Sequence, residues 1–441
     1  MDVDVEDVVI VGAGVAGLAA LRTLDRAGLN VVCIEARERI GGRILTARDP
    51  FCPLPIELGA EFIHGRPAEV WNIVNAASLA AYDCEEHAVH VENGQVSSRE
   101  DAWPRIEDVM KDLQQAAKEQ PDMSFAQFLD GTSHSQEAKD LATAYVQGFN
   151  AARADVIGIA SLAQDAEAAD AIDGDHSFRI ANGYDSVPMH LMQGVSNAGS
   201  RIRLHSVADR IRWQKGIASI DVRSTLTGKQ SRLRAHRVII TVPLGVLQAN
   251  AGDEGAIRFE PDATGILEAA RKLRFGPVVR TVLRFRDRVL EQKSDLAEAG
   301  FLFSREPIFP TWWTALPVRA PIVTGWSAGP KADLLAGQST AAIVARALKQ
   351  FGRITGLSAE LLQESFASAY FHDWQADPYS RGAYSYAPAG ALPAREVLAT
   401  PVEDTLFFAG EATETSGHSG TVHGAIATGF RAARQVLDCL R

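Results

Sequence analysis

Cysteine is scarce in this chain: Cys33, Cys52, Cys84 and Cys439 are spread over 441 residues with no C-x-x-C pair and no metal-ligand spacing. That usage fits reduced thiols in a cytoplasm, and no metal site is expected. Basic residues are outnumbered, with 44 Lys and Arg against 55 Asp and Glu for a formal charge of -11. The basic face that a phosphate backbone requires is missing, so no nucleic-acid partner is expected. No apolar run is long enough to span a bilayer, and there is no lipid-anchor tail, so no membrane association is expected. No basic n-region or apolar h-region precedes the first strand-like run near Asp7, which leaves no signal peptide and points to a cytoplasmic protein. Repeats and low-complexity tracts are absent too. What remains is an ordinary globular composition, 46% hydrophobic, in a chain long enough for two or three domains.

Between Val8 and Arg43 the chain reads VVIVGAGVAGLAALRTLDRAGLNVVCIEARERIGGR. The apolar run Val8 to Val11 suits a buried parallel strand, and Gly12, Gly14 and Gly17 form G-x-G-x-x-G where that run gives way to a helical pattern. The first glycine permits a tight turn, the second lets a pyrophosphate approach the backbone, and the third lets the helix pack closely on the strand. The phosphates then sit on a helix N-terminus. Alone, the motif also fits a turn with no ligand. Val31 to Ile34 forms a second apolar strand ending in Glu35, whose carboxylate stands where it can accept hydrogen bonds from ribose hydroxyls and repel the 2′-phosphate of NADP. Ala36, Arg37, Arg39 and the run Gly41-Gly42-Arg43 follow.

This E-x-R-x-R-x-G-G-R pattern resembles the start of the FAD-dependent amine oxidase superfamily, which includes monoamine and polyamine oxidases, L-amino acid oxidases and lysine-specific histone demethylases. The resemblance implies that Arg37 and Arg43 hold the ribose and phosphates of FAD, with Ala36 and Gly42 beside them. It runs through nearly the whole chain. Glu57 to Gly65, ELGAEFIHG, resembles an E-L-G-A-x-x-x-x-G segment of polyamine oxidases, which puts Gly59, Ala60, Glu61 and Phe62 at the cofactor. Gly174 to Phe178 resembles a G-D-H-x-F run, and Trp374 to Tyr386, WQADPYSRGAYSY, is closest to the polyamine oxidase branch. Phe408 to Thr413, FAGEAT, and Gly420 to Ala425, GTVHGA, resemble the closing flavin motif. By that resemblance Gly410 and Glu411 lie near the ribityl-pyrophosphate link, and Val207 lies beside the adenine. Thr421 and Val422 would open a helix whose dipole favours negative charge on the flavin pyrimidine.

The fold class expected is α/β, a Rossmann-like FAD-binding domain built from discontinuous segments plus an α+β substrate domain with a mixed sheet and a helical insertion. Residues 1–70, 185–265 and 395–441 form the first, and 71–184 and 266–394 the second. From about Pro67 to Ala171 the pattern is largely helical, as in Ile106 to Lys118 and Glu137 to Phe149. Strand-like runs return at Ile202 to Val207, Ile217 to Val222 and His236 to Val242. Val278 to Phe285 and Ile322 to Trp326 suit a sheet flooring a substrate cavity. Near the C-terminus, Val422, Ile426, Gly429, Phe430, Ala433 and Leu437 share one helical face.

Four residues are candidates for the chemistry. Tyr384 matches an aromatic residue standing against the flavin, where it could orient an amine through cation–π attraction, or it simply packs. The second cage position falls on Thr421. His64 sits where polyamine oxidases carry a polar residue near the substrate nitrogen, and a purely structural histidine is the alternative. Arg280, in FGPVVR, replaces a family lysine that holds a water beside flavin N5. It could stabilise anionic flavin, pair with a substrate carboxylate, mark poor use of oxygen, or lie exposed on a strand edge. Ala383 stands where monoamine oxidases carry the cysteine bonded to flavin, which implies non-covalent FAD. Glu61, Glu167 and Asp170 are candidates for the distal ammonium of a polyamine, although solvated charges are the simpler reading of the last two.

The reaction implied is oxidation of a small-molecule amine, a polyamine or a monoamine, with molecular oxygen as acceptor. An L-amino acid oxidase, a dehydrogenase or desaturase with poor oxygen use, and a flavin-binding partner or sensor protein are the alternatives.

Overall fold

The computed structural model describes residues 5–85, 87–92, 94–97 and 102–440. Its first strand, Val5–Val11, lies inside an eight-stranded sheet with Val31–Ile34 parallel on one side and Gln230–Ile240 parallel on the other. Ile10 stands between Cys33 and Ile239. Covered on both faces, such strands need unbroken apolar runs rather than alternation, which is why Val8 to Val11 and Val31 to Ile34 were readable. Gln230–Ile240 shares one of its edges between two partners: its first half pairs antiparallel with Ile217–Ser224, and its last three residues pair parallel with Leu406–Phe408. Segments from the start, middle and end of the sequence thus build one sheet.

Helices Val15–Arg26 and Val422–Asp438 pack together, so closely that a Cβ on Gly429 would lie 2.2 Å from the Ala16 carbonyl oxygen. The buried face of the second helix runs through Ile426, Gly429, Ala432, Ala433 and Val436, with Val422, Phe430 and Leu437 only partly buried at its margin. It is therefore rotated slightly from the stripe expected.

A second, seven-stranded sheet runs in the order Phe366–Phe371, Val278–Phe285, Ile322–Ala328, Thr311–Thr314, Phe301–Phe303, Ala88–Glu92 and Gln95–Ser97. Helices Ala102–Glu119, Gln136–Phe149 and Ile159–Asp170 belong to the stretch expected as largely helical. Ser135 starts the second of them by accepting the Ala138 N–H, satisfying a donor the first turn leaves open. That stretch is not all helix: Ala81–Asp83 and Ala88–Glu92 are strands, the latter parallel to Phe301–Phe303. They are too short to show a period. The run Ile202 to Val207 is likewise cut at His205, whose φ of 54° separates Ile202–Arg203 from Ser206–Gln214. Among the described residues no helix is long and apolar enough to cross a membrane.

Candidate functional site

A cavity of about 1570 Å³ runs between the two sheets. The residues singled out above for cofactor or chemistry line it, with the exceptions of Gly17, Arg39 and Glu167. Gly17 acts one layer back, where a Cβ would stand 1.9 Å from the Gly12 carbonyl oxygen, and it therefore lets the helix sit against the turn. Gly12 takes a φ of +107°, which L side chains rarely adopt, to turn the chain out of the strand. Gly14 is the N-cap of Val15–Arg26 without a side-chain cap, and Gly14, Val15 and Ala16 all face the cavity. First-turn N–H groups lack helical partners, so an anion is favoured there. Gly14 and Gly42 oppose each other across this cradle; a Cβ on Gly42 would lie 3.3 Å from Gly14 Cα and close the gap.

Glu35, buried at the end of its strand, accepts the Ala13 N–H at 2.8 Å through Oε2 and the Arg37 N–H at 3.0 Å through Oε1. Each oxygen keeps a lone pair for a hydroxyl donor. Arg37 donates to Asp377 at 2.8 Å, an ion pair that fixes its guanidinium along the cavity wall. Val207 lies next to Ser206, whose N–H donates to the Glu35 carbonyl at 2.7 Å. The residues therefore fit a dinucleotide laid along the strand ends, with diphosphate at the glycines and ribose at Glu35.

The opposite wall comes from the end of the chain. Arg43 Nη1 donates to the Ala383 carbonyl at 2.6 Å and to Glu411 Oε1 at 2.9 Å, while Glu411 Oε2 accepts from the Ser385 hydroxyl and the Gly420 N–H. Burial alone would raise the Glu411 carboxyl, but Arg43, the Ser385 hydroxyl and Arg395 outweigh it and hold it below the usual range. Thr421 caps Val422–Asp438, accepting the Gly424 N–H at 3.0 Å and donating to the His418 carbonyl at 2.7 Å. Its hydroxyl is committed to the cap. The helix N-terminus it opens faces the cavity at Thr421 and Val422.

Where these walls meet, Tyr384, Arg280 and His64 come together. Tyr384 lies on a strand paired with Arg274–Gly276, and its hydroxyl donates to the Phe149 carbonyl at 2.6 Å. With the hydroxyl tied down, the ring presents a fixed wall. Arg280 is only 5% exposed, which rules out the strand-edge alternative. It sits on an inner strand opposite Trp326, and its Nη1 donates to the Gly59 carbonyl at 2.9 Å while Nη2 pairs with Glu61. Glu61 also accepts Arg179 Nε at 2.5 Å and Trp313 Nε1 at 3.0 Å. Burial would raise its carboxyl, but Arg280 and Arg179 together pull it below the ordinary range. Glu61 is thus saturated by the protein and leaves no carboxylate for a distal ammonium, contrary to that expectation. Burial drops His64 to about 4, so it is neutral near pH 7, with its Nδ1 3.3 Å from the Ser177 hydroxyl.

Two cavity groups escaped the sequence reading. Asp165 lines the cavity on Ile159–Asp170 and is pushed up to about 7 by burial. Glu167 faces outward, whereas Asp170 reaches the cavity from an exposed position. Asp165 falls on the face of Leu162, Ala166 and Ala169, so a charge interrupting an apolar helical face was the available signal. His423, buried in the first turn after Thr421, keeps Nε2 without a protein partner, and burial followed by His418 and His64 lowers it to about 3.

The family model for flavin containing amine oxidoreductases matches residues 15–437. Polyamine oxidase 3 of Oryza sativa subsp. japonica is 28% identical over 97% of this chain and 88% of its own length. Lysine-specific histone demethylase 1 homolog 3 of Arabidopsis thaliana is 27% identical, and the chain spans 30% of its length; for homolog 2 the share is 58%. In fold, the chain is similar to wild-type putrescine oxidase bound to putrescine, with a TM-score of 0.81 at 21% identity over 98% of this chain and 99% of that one. Cyclohexylamine oxidase from Brevibacterium oxydans gives 0.82 at 19% identity over 99% and 100%. With the glycine cradle, the paired Arg43 and Glu411 and the capped closing helix all inside the matched span, the chain belongs to the flavin-containing amine oxidoreductase family.

Proposed function

We propose that this chain binds FAD non-covalently and oxidises a small amine, polyamine or monoamine, at the carbon beside its nitrogen. One observation carries the reading: the glycine-lined cradle and a ring-lined chamber form one continuous cavity and meet at Ala383, Tyr384, Thr421 and Arg280. Glu35 favours a ribose hydroxyl over a 2′-phosphate, and among the described residues lining the cavity there is no thiol to bond the ring. Held by the glycine turn, Glu35, Arg37, Arg43 and Glu411, FAD would supply the hydride acceptor for the amine's α-carbon and the two-electron route to molecular oxygen, the products being an imine that water hydrolyses and hydrogen peroxide.

The protein's part is positioning and fixed charge. Tyr384 walls the amine against the cofactor face, neutral His64 offers a hydrogen bond to its nitrogen, and the permanently charged Arg280 favours negative charge developing nearby. An amino acid substrate is disfavoured. Nη2 of Arg280 is paired with Glu61 and its Nε is buried, so the Nε–Nη2 edge that grips a carboxylate is closed to a substrate, while Nη1 already donates to Gly59. The unbridged cysteines support action in a reducing compartment such as the cytoplasm.

The test is direct. Acid precipitation of the purified yellow protein should release all flavin to the supernatant, and a yellow pellet refutes non-covalent binding. Anaerobic mixing with spermine, spermidine, tryptamine, benzylamine and amino acids should bleach the flavin for a true substrate. If none bleaches it, amine oxidation is wrong and a binding or sensing role takes its place. Reoxidation in air at equal rates in the wild type and Arg280→Lys would remove Arg280 from the oxygen step.

A further inference from the structure

Seven aromatic rings close a circuit around the chamber. Trp103 meets Tyr145 at 5.6 Å between ring centres, Tyr145 stacks on Phe149 at 5.7 Å, and Phe149 meets His64 at 5.8 Å. His64 continues to Phe62 at 5.8 Å, Phe62 to Phe301 at 6.3 Å, Phe301 to Phe303 at 6.3 Å, and Phe303 returns to Trp103 at 6.4 Å. All seven line the cavity. Trp103 at 45% and Phe149 at 54% are among the most exposed large apolar side chains of the chain, and their exposed area faces this chamber. Apolar area held open inside a concave site is what a ligand's apolar body covers.

Charge directly behind the ring wall points the same way. Arg179 lies 4.8 Å over the Phe62 ring and Arg280 5.4 Å over Trp313, the ring beside Phe62, so two of the wall rings already serve protein cations. These two guanidiniums share the single carboxylate of Glu61, which leaves one net positive charge behind the wall. Asp165, the other deep acid, is held largely neutral up to about pH 7 by burial. Further out acids outnumber bases, with Glu92, Glu107, Glu137, Asp140, Asp170 and Asp175 against Lys111, Arg305 and Lys331, so the preference rests on the apolar wall of the circuit and not on the charge of the mouth. A second ammonium inside the circuit would lose its water and find a carboxylate only at exposed Asp175 beside Tyr145, whereas a ring or branched hydrocarbon loses nothing polar.

On the reading that the site oxidises amines, we propose that its preferred substrates are monoamines with a bulky, ring-bearing apolar body, the nitrogen at Tyr384 and Thr421 and the body inside the seven-ring circuit, and that polyamines are the poorer substrates.

Anaerobic stopped-flow bleaching of the holoenzyme with 2-phenylethylamine, cyclohexylmethylamine, putrescine and spermidine tests this. The ring-bearing monoamines should reduce the flavin with rate over Kd at least roughly tenfold above both polyamines, the scale of burying one hydrocarbon ring. Trp103→Ala, and Phe303→Leu as a milder second variant, should raise Kd for 2-phenylethylamine severalfold and leave that of putrescine within about twofold. Polyamines reacting as fast or faster overturn the proposal while amine oxidation stands. Should no amine bleach the flavin, amine oxidation falls instead, and equilibrium dialysis decides the circuit: tighter retention of 2-phenylethylamine than of spermidine supports it, and the reverse overturns it.

Discussion

Replacing Glu61 by glutamine keeps the shape of the side chain and removes the carboxylate that two buried guanidiniums share. Glu61 Oε1 accepts Arg179 Nε at 2.5 Å, and Oε2 accepts Arg280 and, at 3.0 Å, the Trp313 indole. The side chains of both arginines are under 10% exposed, at 7% and 6%, so neither charge can be returned to water by a small rotation. A glutamine amide can accept from one arginine but turns its N–H₂ toward the other. Breaking a buried pair by deleting one partner costs about 3–5 kcal/mol, because the charge left behind is uncompensated. We expect Glu61→Gln to lower the unfolding free energy of the flavin-saturated protein by that amount, measured by urea denaturation followed by tryptophan emission. The pH dependence carries a second signature. Because the folded-state value of Glu61 is depressed, its contribution is complete above 4.5, the ordinary value, and fades as pH falls toward the depressed value. The variant should lack that acidic limb. Adding Arg179→Met should recover at least about 1 kcal/mol by removing one stranded charge. A loss below about 1 kcal/mol, the size of an exposed ion pair, or a double variant no more stable than Glu61→Gln, would refute the view that the three residues act as one unit.

Gly14→Val should abolish flavin retention, by roughly 100-fold or about 2.7 kcal/mol in affinity, with little change in folding, since the nearest protein atom to a Cβ there is 3.9 Å away; normal visible flavin absorbance in the variant would show that the cradle holds no phosphate. Asp165 is raised from 3.8 to about 7, so the stability it confers when protonated is full below 3.8 and is lost progressively up to about pH 7. Asp165→Asn should accordingly gain stability over the wild type across that window, and parallel melting-temperature profiles of the two proteins from pH 4 to 7 would contradict the burial argument. His64, at about 4, and His423, at about 3, are neutral above pH 5, so His64→Asn should change the level of kcat/KM between pH 5 and 8 without changing its shape. An inflection near 6.5 that disappears in the variant would mean that His64 titrates in turnover.

The cofactor half was readable because its signals are local and dense. Val8 to Val11 is an unbroken apolar run because both faces are covered, and Gly12, Gly14 and Gly17 mark places where a side chain would strike backbone or ligand space. Glu411 and Thr421 were readable for the same reason, lying in short motifs that bend or cap the chain. The substrate half was legible only in part. Arg280 could be placed on a strand, but its pairing with Glu61, 219 residues away, is a tertiary fact with no periodic trace. Asp165 was overlooked because Glu167 and Asp170 close by look alike in sequence, and only the helix's rotation decides which of them faces inward. The strands Ala81–Asp83 and Ala88–Glu92 vanished in a helical background because three to five residues cannot establish an alternation.

The meeting of helices Val15–Arg26 and Val422–Asp438 through Gly429 sets a condition on how the molecule is made. At a ribosomal pace of 5–20 residues per second, residue 11 leaves the ribosome roughly 20–80 s before residue 422. Throughout that wait the first strand lacks Gln230–Ile240 for about half the time, and the first helix lacks its cover until the last turns emerge. The nascent N-terminal half thus carries an apolar surface that only the newest part of the chain can conceal. A polypeptide that stalls before residue 422 should be a client of chaperones and should retain no flavin, however complete its glycine turn.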